Sequence, residues 1–175
     1  MDKTEKFINE FKFDSNIILS GMPWVGKTHI MKKLFEKLPE NQGSLNKYWI
    51  DDGEFRENIT SWKMVLRPFD AVWCPILSYP LEVMIRVKVL FYDDLGASEN
   101  VSEAQTTKFK FILDEREKKG LITIYSTNLT PKELSNLYGE RIKSRIFNWK
   151  HKKGLLTIQI DGEDHRRENI KRLTL

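Results

Sequence analysis

Cysteine is nearly absent: the 175 residues contain one, Cys74. A single thiol excludes an internal disulfide and any cysteine-based zinc cluster, and it suits a reducing compartment. Long apolar runs are absent as well. The charged start Met1-Asp2-Lys3-Thr4-Glu5-Lys6 leads into no signal-peptide core. No stretch is long and apolar enough to cross a bilayer, so the expected location is the cytoplasm, with no membrane partner. There is no internal repeat and no low-complexity segment. Strong charge imbalance is missing too: 29 Lys+Arg stand against 25 Asp+Glu, a net charge of +4. The chain is only mildly basic, so the placement of its charges matters more than their sum.

By length, residues 1–175 are expected to form a single domain. A domain of this size buries roughly 70% of its unfolded surface and needs no covalent staple. Its most informative segment is Gly21-Met22-Pro23-Trp24-Val25-Gly26-Lys27-Thr28-His29. The segment fits G-x-x-x-x-G-K-[ST], follows the apolar run Asn16–Ser20, and opens a stretch with Ile30, Met31, Leu34, Phe35 and Leu38 at helical spacing. Strand, glycine loop and helix in that order make a phosphate cradle. Loop N–H groups and the helix N-terminus face phosphate oxygens. Lys27 would reach the β- and γ-phosphates, and Thr28 would offer its hydroxyl to Mg²⁺. ATP and Mg²⁺ are the implied ligands.

Further along, the pattern predicts a helix over 3–13, strands at Lys47–Asp51, Val87–Tyr92, Leu121–Tyr125 and Leu155–Ile160, and helices between them. Ser102 with Gln105, and Thr130 with Pro131 and Glu133, read as helix starts. Pro39 ends the first long helix, and Gly139 is a candidate break. Residues 53–87 are the least legible, because Pro68, Pro75 and Pro80 forbid one long helix. Alternating strands and helices imply a parallel sheet covered on both faces, with ligands at the carboxyl ends of its strands.

Several polar residues fall at those ends. Asp93 closes an apolar strand, where a Mg²⁺-holding aspartate belongs. Asp94 is next and would orient or deprotonate the attacking water; the alternative is a solvated Asp-Asp-Leu-Gly turn. Asn128 would hydrogen-bond that water or the γ-phosphate without adding charge, or serve only as the turn into the Thr130 cap. Arg141 and Arg145 are four residues apart on one helix face, with Ile142 and Ile146 facing the core. They read as a finger for a neighbouring subunit's nucleotide, or as surface charges. Arg141, Lys143, Arg145, Lys150, Lys152 and Lys153, and further on Arg166, Arg167, Lys171 and Arg172, form two basic stretches. These suit nucleic-acid phosphates, nucleotide, or a solvated face.

The ordered pieces GMPWVGKTHI, LFYDDLGAS, IYSTNLTPKEL, LYGERIKSRIF and DGEDHRR cover nearly the whole chain. In that order they resemble the AAA+ ATPases of the DnaC/DnaI helicase-loader group and its IstB-like transposition relatives. The resemblance implies an ASCE α/β fold: a five-stranded parallel sheet of order 5-1-4-3-2, helices on both faces, and no C-terminal lid. It places sensor 1 on Asn128, the arginine finger on Arg145 with Arg141 beside it, and a sensor-2-like arginine on Arg166. It implies a slow, DNA-responsive ATPase in DNA replication, self-associating, with a replicative helicase or a transposase as partner. It also implies single-stranded DNA contacts partly within 53–87. There Trp62, Lys63, Arg67, Phe69 and Trp73 mix rings and cations, suited to stacking or to core packing. The chain departs from the pattern in three ways. Only a short segment precedes the first strand, Trp24 stands where a glycine is common, and Asp94 stands where a glutamate is usual. These departures keep open a second reading: a nucleotide-switched or nucleotide-independent binding module with little turnover.

Overall fold

The computed structural model describes residues 3–39, 46–60, 65–66, 77–78, 80–98, 100–147 and 154–160. In chain order the elements are α1 (Lys3–Glu10), β1 (Asn16–Ser20), α2 (Lys27–Lys37), β2 (Lys47–Asp51) and α3 (Asp52–Thr60). Next come β3 (Val65–Leu66), β4 (Leu77–Ser78), α4 (Pro80–Met84), β5 (Val89–Asp93) and α5 (Glu103–Lys118). The chain continues through β6 (Ile122–Thr127), α6 (Pro131–Tyr138), α7 (Glu140–Phe147) and β7 (Leu155–Gln159).

Five strands form one parallel sheet in the order β2-β5-β6-β1-β7. Counting only these strands along the chain, the order is 2-3-4-1-5, the expected topology read from its other edge. The short β3 and β4 pair antiparallel in a separate ribbon, which the proline-rich composition of that stretch did not announce. Alternate residues of β1 serve the two faces. Ile17 and Leu19 pack with Ile8 of α1, Phe11 just after it, and Ile30, Met31 and Leu34 of α2. Ile18 packs on the other side with Phe55, Phe109, Ile112, Leu113, Leu134, Ile142 and Ile146 from the opposite helical layer. The central strands β5 and β6 are buried throughout, which is why they read as apolar runs.

Local chemistry sets the helix bounds. α2 stops at Lys37 because Leu38, before Pro39, is extended at ψ 123°. Ser102 and Gln105, and Thr130 and Glu133, form the two reciprocal capping boxes expected. Gly139, at φ 86°, separates α6 from α7. The first helix is shorter than predicted, ending at Glu10, and Phe13 takes φ 53°.

Three polar clasps hold the layers, those of Arg116 and Asp52 buried and that of Lys37 at the surface. The guanidinium of Arg116 is fully buried and donates to the carbonyls of Met84, Val87 and Ile122 and to Thr123 Oγ1. Burial lowers its pKa to about 9. Lys37 Nζ donates to the carbonyls of Ile8, Asn9 and Phe11 at 2.7–2.8 Å, closing the end of α1. Asp52 Oδ1 accepts from the hydroxyls of Tyr92 and Tyr138, each at 3.0 Å, tying the start of α3 to β5 and α6. Burial and the Asp52 charge push both phenols above their ordinary range.

Among the described residues no helix is long and apolar enough to cross a membrane. Cys74, the aromatic and cationic positions Trp62, Lys63, Arg67, Phe69 and Trp73, the basic residues Lys150, Lys152, Lys153, Arg166, Arg167, Lys171 and Arg172, and the segment that bears on a lid lie outside the described residues.

Candidate nucleotide site

The phosphate loop leaves β1 at Ser20 and enters α2 at Lys27. Its first glycine is dictated by packing: a Cβ on Gly21 would sit 2.4 Å from the carbonyl oxygen of Ile160. Ile160 N–H in turn donates to the Ser20 carbonyl at 2.8 Å, so the end of β7 is stitched to the start of the loop. Gly26 takes φ 93° as the residue before α2 and supplies no side-chain cap. The first-turn N–H groups of α2 therefore have no acceptor within the helix or from a capping side chain, which is the arrangement that receives an anion. Trp24, at φ 71°, holds the left-handed backbone usually left to glycine. Its indole is half exposed, and Met22, Pro23 and His29 are exposed, while Val25 is buried.

Lys27 is buried, and its ammonium donates to the carbonyls of Gly21 at 2.9 Å and Met22 at 2.6 Å. Burial lowers its pKa, and the charges of Asp94 and Asp93 pull the other way. Thr28 Oγ1 donates to Asp93 Oδ1 at 3.3 Å, a contact between residues 65 apart in sequence. With its proton committed to a carboxylate, the Thr28 oxygen keeps its lone pairs for another partner. A hydroxyl and a carboxylate held together are hard oxygen donors of the kind Mg²⁺ takes. The pair fits that ion, with Thr28 and Asp93 as the residues that would hold it.

Asp93 is buried and Asp94 exposed. Asp94 takes φ 51°, which turns it away from the strand direction. Partial loss of solvent around its carboxyl and the neighbouring Asp93 charge raise the Asp94 pKa, with Lys27 opposing. One residue not singled out from the sequence organises this pair. Ser126, fully buried in β6, donates its Oγ–H to Asp93 Oδ1 and accepts the Asp94 N–H at 2.8 Å. The only signal was its place in Ser126-Thr127-Asn128 at a strand end. Thr127 is likewise structural, bridging the Leu95 carbonyl and the Leu129 N–H. Asn128 is exposed and lines a cavity of about 510 Å³ with Gly96, Ser98, Leu129 and Asn136.

The arginines differ from the expected exposed pair. Arg141 is exposed, but Arg145 is only partly so, because α7 packs on α5. Arg145 Nε donates to Asp114 of α5, and Nη1 donates to the Arg141 carbonyl at 3.2 Å. Ile142 and Ile146 are buried, as their spacing required. Arg166, the remaining candidate, lies outside the described residues.

No family model matches this chain, and neither does any curated protein. Solved structures do. The DnaC helicase loader is 24% identical with a TM-score of 0.59, over 89% of this chain and 85% of that one. DnaI is 21% identical with a TM-score of 0.63, over 93% and 80%. The fold is that of the AAA+ P-loop ATPases. The replication initiator DnaA, solved with AMPPCP and single-stranded DNA, is 14% identical with a TM-score of 0.57 over 90% of this chain. This chain spans 44% of that DnaA. Within the AAA+ frame the phosphate loop, the Asp93–Asp94 pair and Asn128 converge on the carboxyl ends of β1, β5 and β6, where such sheets bind ligands.

Proposed function

We propose that the protein is a Mg²⁺-dependent ATPase of helicase-loader type that acts in DNA replication, turns over slowly, self-associates and binds single-stranded DNA. The observation that carries the reading is the Thr28–Asp93 contact beside the buried Lys27 ammonium. It brings a loop hydroxyl, a strand-end carboxylate and a cation to one point. The likeness to loaders and to a DnaA bound to AMPPCP and single-stranded DNA supports nucleotide and DNA as ligands.

In this reading Gly21 to His29 wrap the triphosphate. Lys27 exchanges its two loop carbonyls for β- and γ-phosphate oxygens. A Mg²⁺ ion held by Thr28 and Asp93 supplies neutralising charge for those oxygens. Asp94 orients the attacking water and takes its proton as oxygen bonds to the γ-phosphorus and the β–γ bridging bond breaks. Asn128 donates to the water or to the γ-phosphate. Ser126 keeps both aspartates in place. Arg145, leaving Asp114, reaches the triphosphate of a neighbouring subunit with Arg141 beside it, and Arg166 serves its own subunit. The shorter arm of Asp94 compared with a glutamate makes turnover slow. The partner is a replicative helicase, with a transposase as the alternative.

One observation favours a nucleotide-switched module with little turnover instead: the Arg145 guanidinium is already engaged inside its own subunit. Phosphate release from Mg·ATP, with and without single-stranded DNA and over a range of protein concentrations, separates the two readings. The ATPase predicts a rate per subunit that rises with concentration and DNA. It also predicts that Arg145→Ala abolishes turnover yet keeps ATP binding, and that Lys27→Ala loses the melting shift that ATP gives the native state. A melting shift without phosphate release would select the switch. No shift at millimolar ATP would sink nucleotide binding altogether.

A further inference from the structure

The Asp52 clasp reaches further than the layers it joins. Asp52 opens α3 and follows Asp51, which lies opposite Asp93 in the β2–β5 register. Asp52 is 1% exposed. One carboxylate oxygen, Oδ1, takes both the Tyr92 and the Tyr138 hydroxyl at the same 3.0 Å. The other, Oδ2, is buried with no hydrogen-bond partner among the described residues. A carboxylate buried with so few donors costs the fold stability, and such a group calls for a reason.

The two phenols are not equivalent. Tyr92 lies in β5 with its ring against Phe55 and Phe109, and its hydroxyl serves Asp52. Tyr138 is the last residue of α6, just before the Gly139 break. Its hydroxyl donates to Asp52 and accepts from the Gly96 N–H. Gly96 ends the Asp94-Leu95-Gly96 turn. The middle of that turn is held from β6: the Leu95 N–H donates to the Ser126 carbonyl, and the Leu95 carbonyl accepts the Thr127 hydroxyl, each at 2.8 Å. Within it, the Ala97 N–H returns to the Asp94 carbonyl at 2.9 Å. The turn that sets Asp94 at φ 51° is thus anchored from a strand on one side and from a helix, through Tyr138, on the other. Asp52 orients that helix anchor. With the phenolic proton committed to the carboxylate, the Tyr138 oxygen keeps its lone pairs for Gly96.

We propose that Tyr138 is a positioning residue for Asp94 and that Asp52 acts through it. Together they fix the Gly96 end of the turn, and so the place from which the Asp94 carboxylate meets its water. This rests on the ATPase reading above for what Asp94 does. Tyr138 and Asp52 act at a distance from the phosphate loop, so the clasp governs the approach of the carboxylate and not the hold on ATP. A displacement of about 1 Å at a reacting group can cost roughly a hundredfold in rate, so one lost anchor matters.

The test compares Tyr138→Phe with Tyr92→Phe in the full chain. Each keeps its ring and removes one phenol from the same Asp52 oxygen, so both should lower the melting temperature by similar amounts. Tyr138→Phe alone also strips the Gly96 N–H of its acceptor. Its kcat for phosphate release is expected to fall roughly tenfold, with KM for ATP within about twofold of wild type. Tyr92→Phe should keep both values. Asp52→Ala should repeat the Tyr138→Phe defect, and the double variant should be no slower than Tyr138→Phe alone. Asp52→Asn, which keeps an oxygen for both phenols, should recover most of the rate that Asp52→Ala loses. If Asp52→Ala fails to fold, the two phenylalanine variants still decide. Equal kcat in those two, or a Tyr138→Phe defect confined to KM, overturns the proposal and leaves the clasp structural. A second measurement needs no turnover. Amide hydrogen exchange followed by NMR should be roughly fivefold faster at Gly96 in Tyr138→Phe and unchanged there in Tyr92→Phe. An unchanged Gly96 amide in Tyr138→Phe overturns the anchor whatever the kinetics. A faster amide in a protein that releases no phosphate keeps the anchor and removes the ATPase reading. Phosphate release with an unchanged amide does the reverse.

Discussion

The two ends of the sheet use the same residue types in opposite ways. At the amino ends of the strands, Arg116 donates to three carbonyls and a hydroxyl. Asn16 Oδ1 there accepts the Thr123 N–H at 2.7 Å. On the neighbouring helix ends, Lys37 and Lys47 close the carbonyls that α1 and α2 leave over. Each of these cations is consumed by the fold. At the carboxyl ends, Lys27 has two carbonyls of its own loop and two aspartates nearby. Asp94 and Trp24 sit in left-handed backbone, and the start of α2 lacks a side-chain cap. One end is satisfied; the other keeps charge, strain and open donors together, as functional sites do. A cation's residue type does not distinguish these roles; its partners do.

Arg116→Met gives the sharpest break of this contrast. The thioether fills the space, but the carbonyls of Met84, Val87 and Ile122 each lose the buried donor that the guanidinium supplied. The expected loss is roughly 3 kcal/mol or more, a fall of about 10 °C in the melting temperature for a chain of this size. A thermal melt within a degree of wild type would show that water replaces the guanidinium there and that the amino end is not the satisfied one.

Ser126→Ala probes the other end. It removes the hydroxyl shared by Asp93 and the Asp94 N–H and leaves the phosphate loop untouched. Turnover should drop roughly tenfold, equivalent to about 1.4 kcal/mol of barrier, with ATP affinity little changed. A loss confined to affinity would mean that Ser126 serves nucleotide binding and does not position the aspartates.

Asp94→Asn should show the smallest effect, and its sign is the point. The folded-state pKa of Asp94 is raised above 3.8 by partial loss of solvent and by Asp93. Its ionisation therefore removes stability as pH rises through that raised value. The asparagine variant should melt slightly higher than wild type near neutral pH, and the two should converge in acid, below 3.8. A variant that melts lower at neutral pH would mean that the carboxylate stabilises the fold, against the contrast drawn between the two ends.

What could be read in the sequence followed from how local each cause was. β1 and β2 were legible residue for residue, because apolar runs bounded by turn chemistry need no distant partner. The two capping boxes were legible because each closes within four residues. Arg116, inside Glu115-Arg116-Glu117-Lys118-Lys119, looked like surface charge. Only the neighbouring helix and strands make it a clasp. The Arg145–Asp114 pair joins residues 31 apart, so helical spacing predicted the face of α7 but not what covers it. Ser126 was hidden for the same reason: its partners arrive from another strand. The phosphate loop and Asp93 stood out as candidates because their spacing and strand context are themselves the signal, whereas the aromatic and cationic positions of 62–73 lie outside the described residues.

Trp24 has one more consequence. It places an indole, half exposed, inside the phosphate loop, so the loop carries its own fluorophore. With the other four tryptophans changed to phenylalanine, the remaining emission would report on nine residues alone. Solvated indole emits to the red and covered indole to the blue. Occupancy of the loop could then be followed by colour, in real time and without a label. An emission indifferent to ATP and to protein concentration would show that nothing ever comes to rest against that ring.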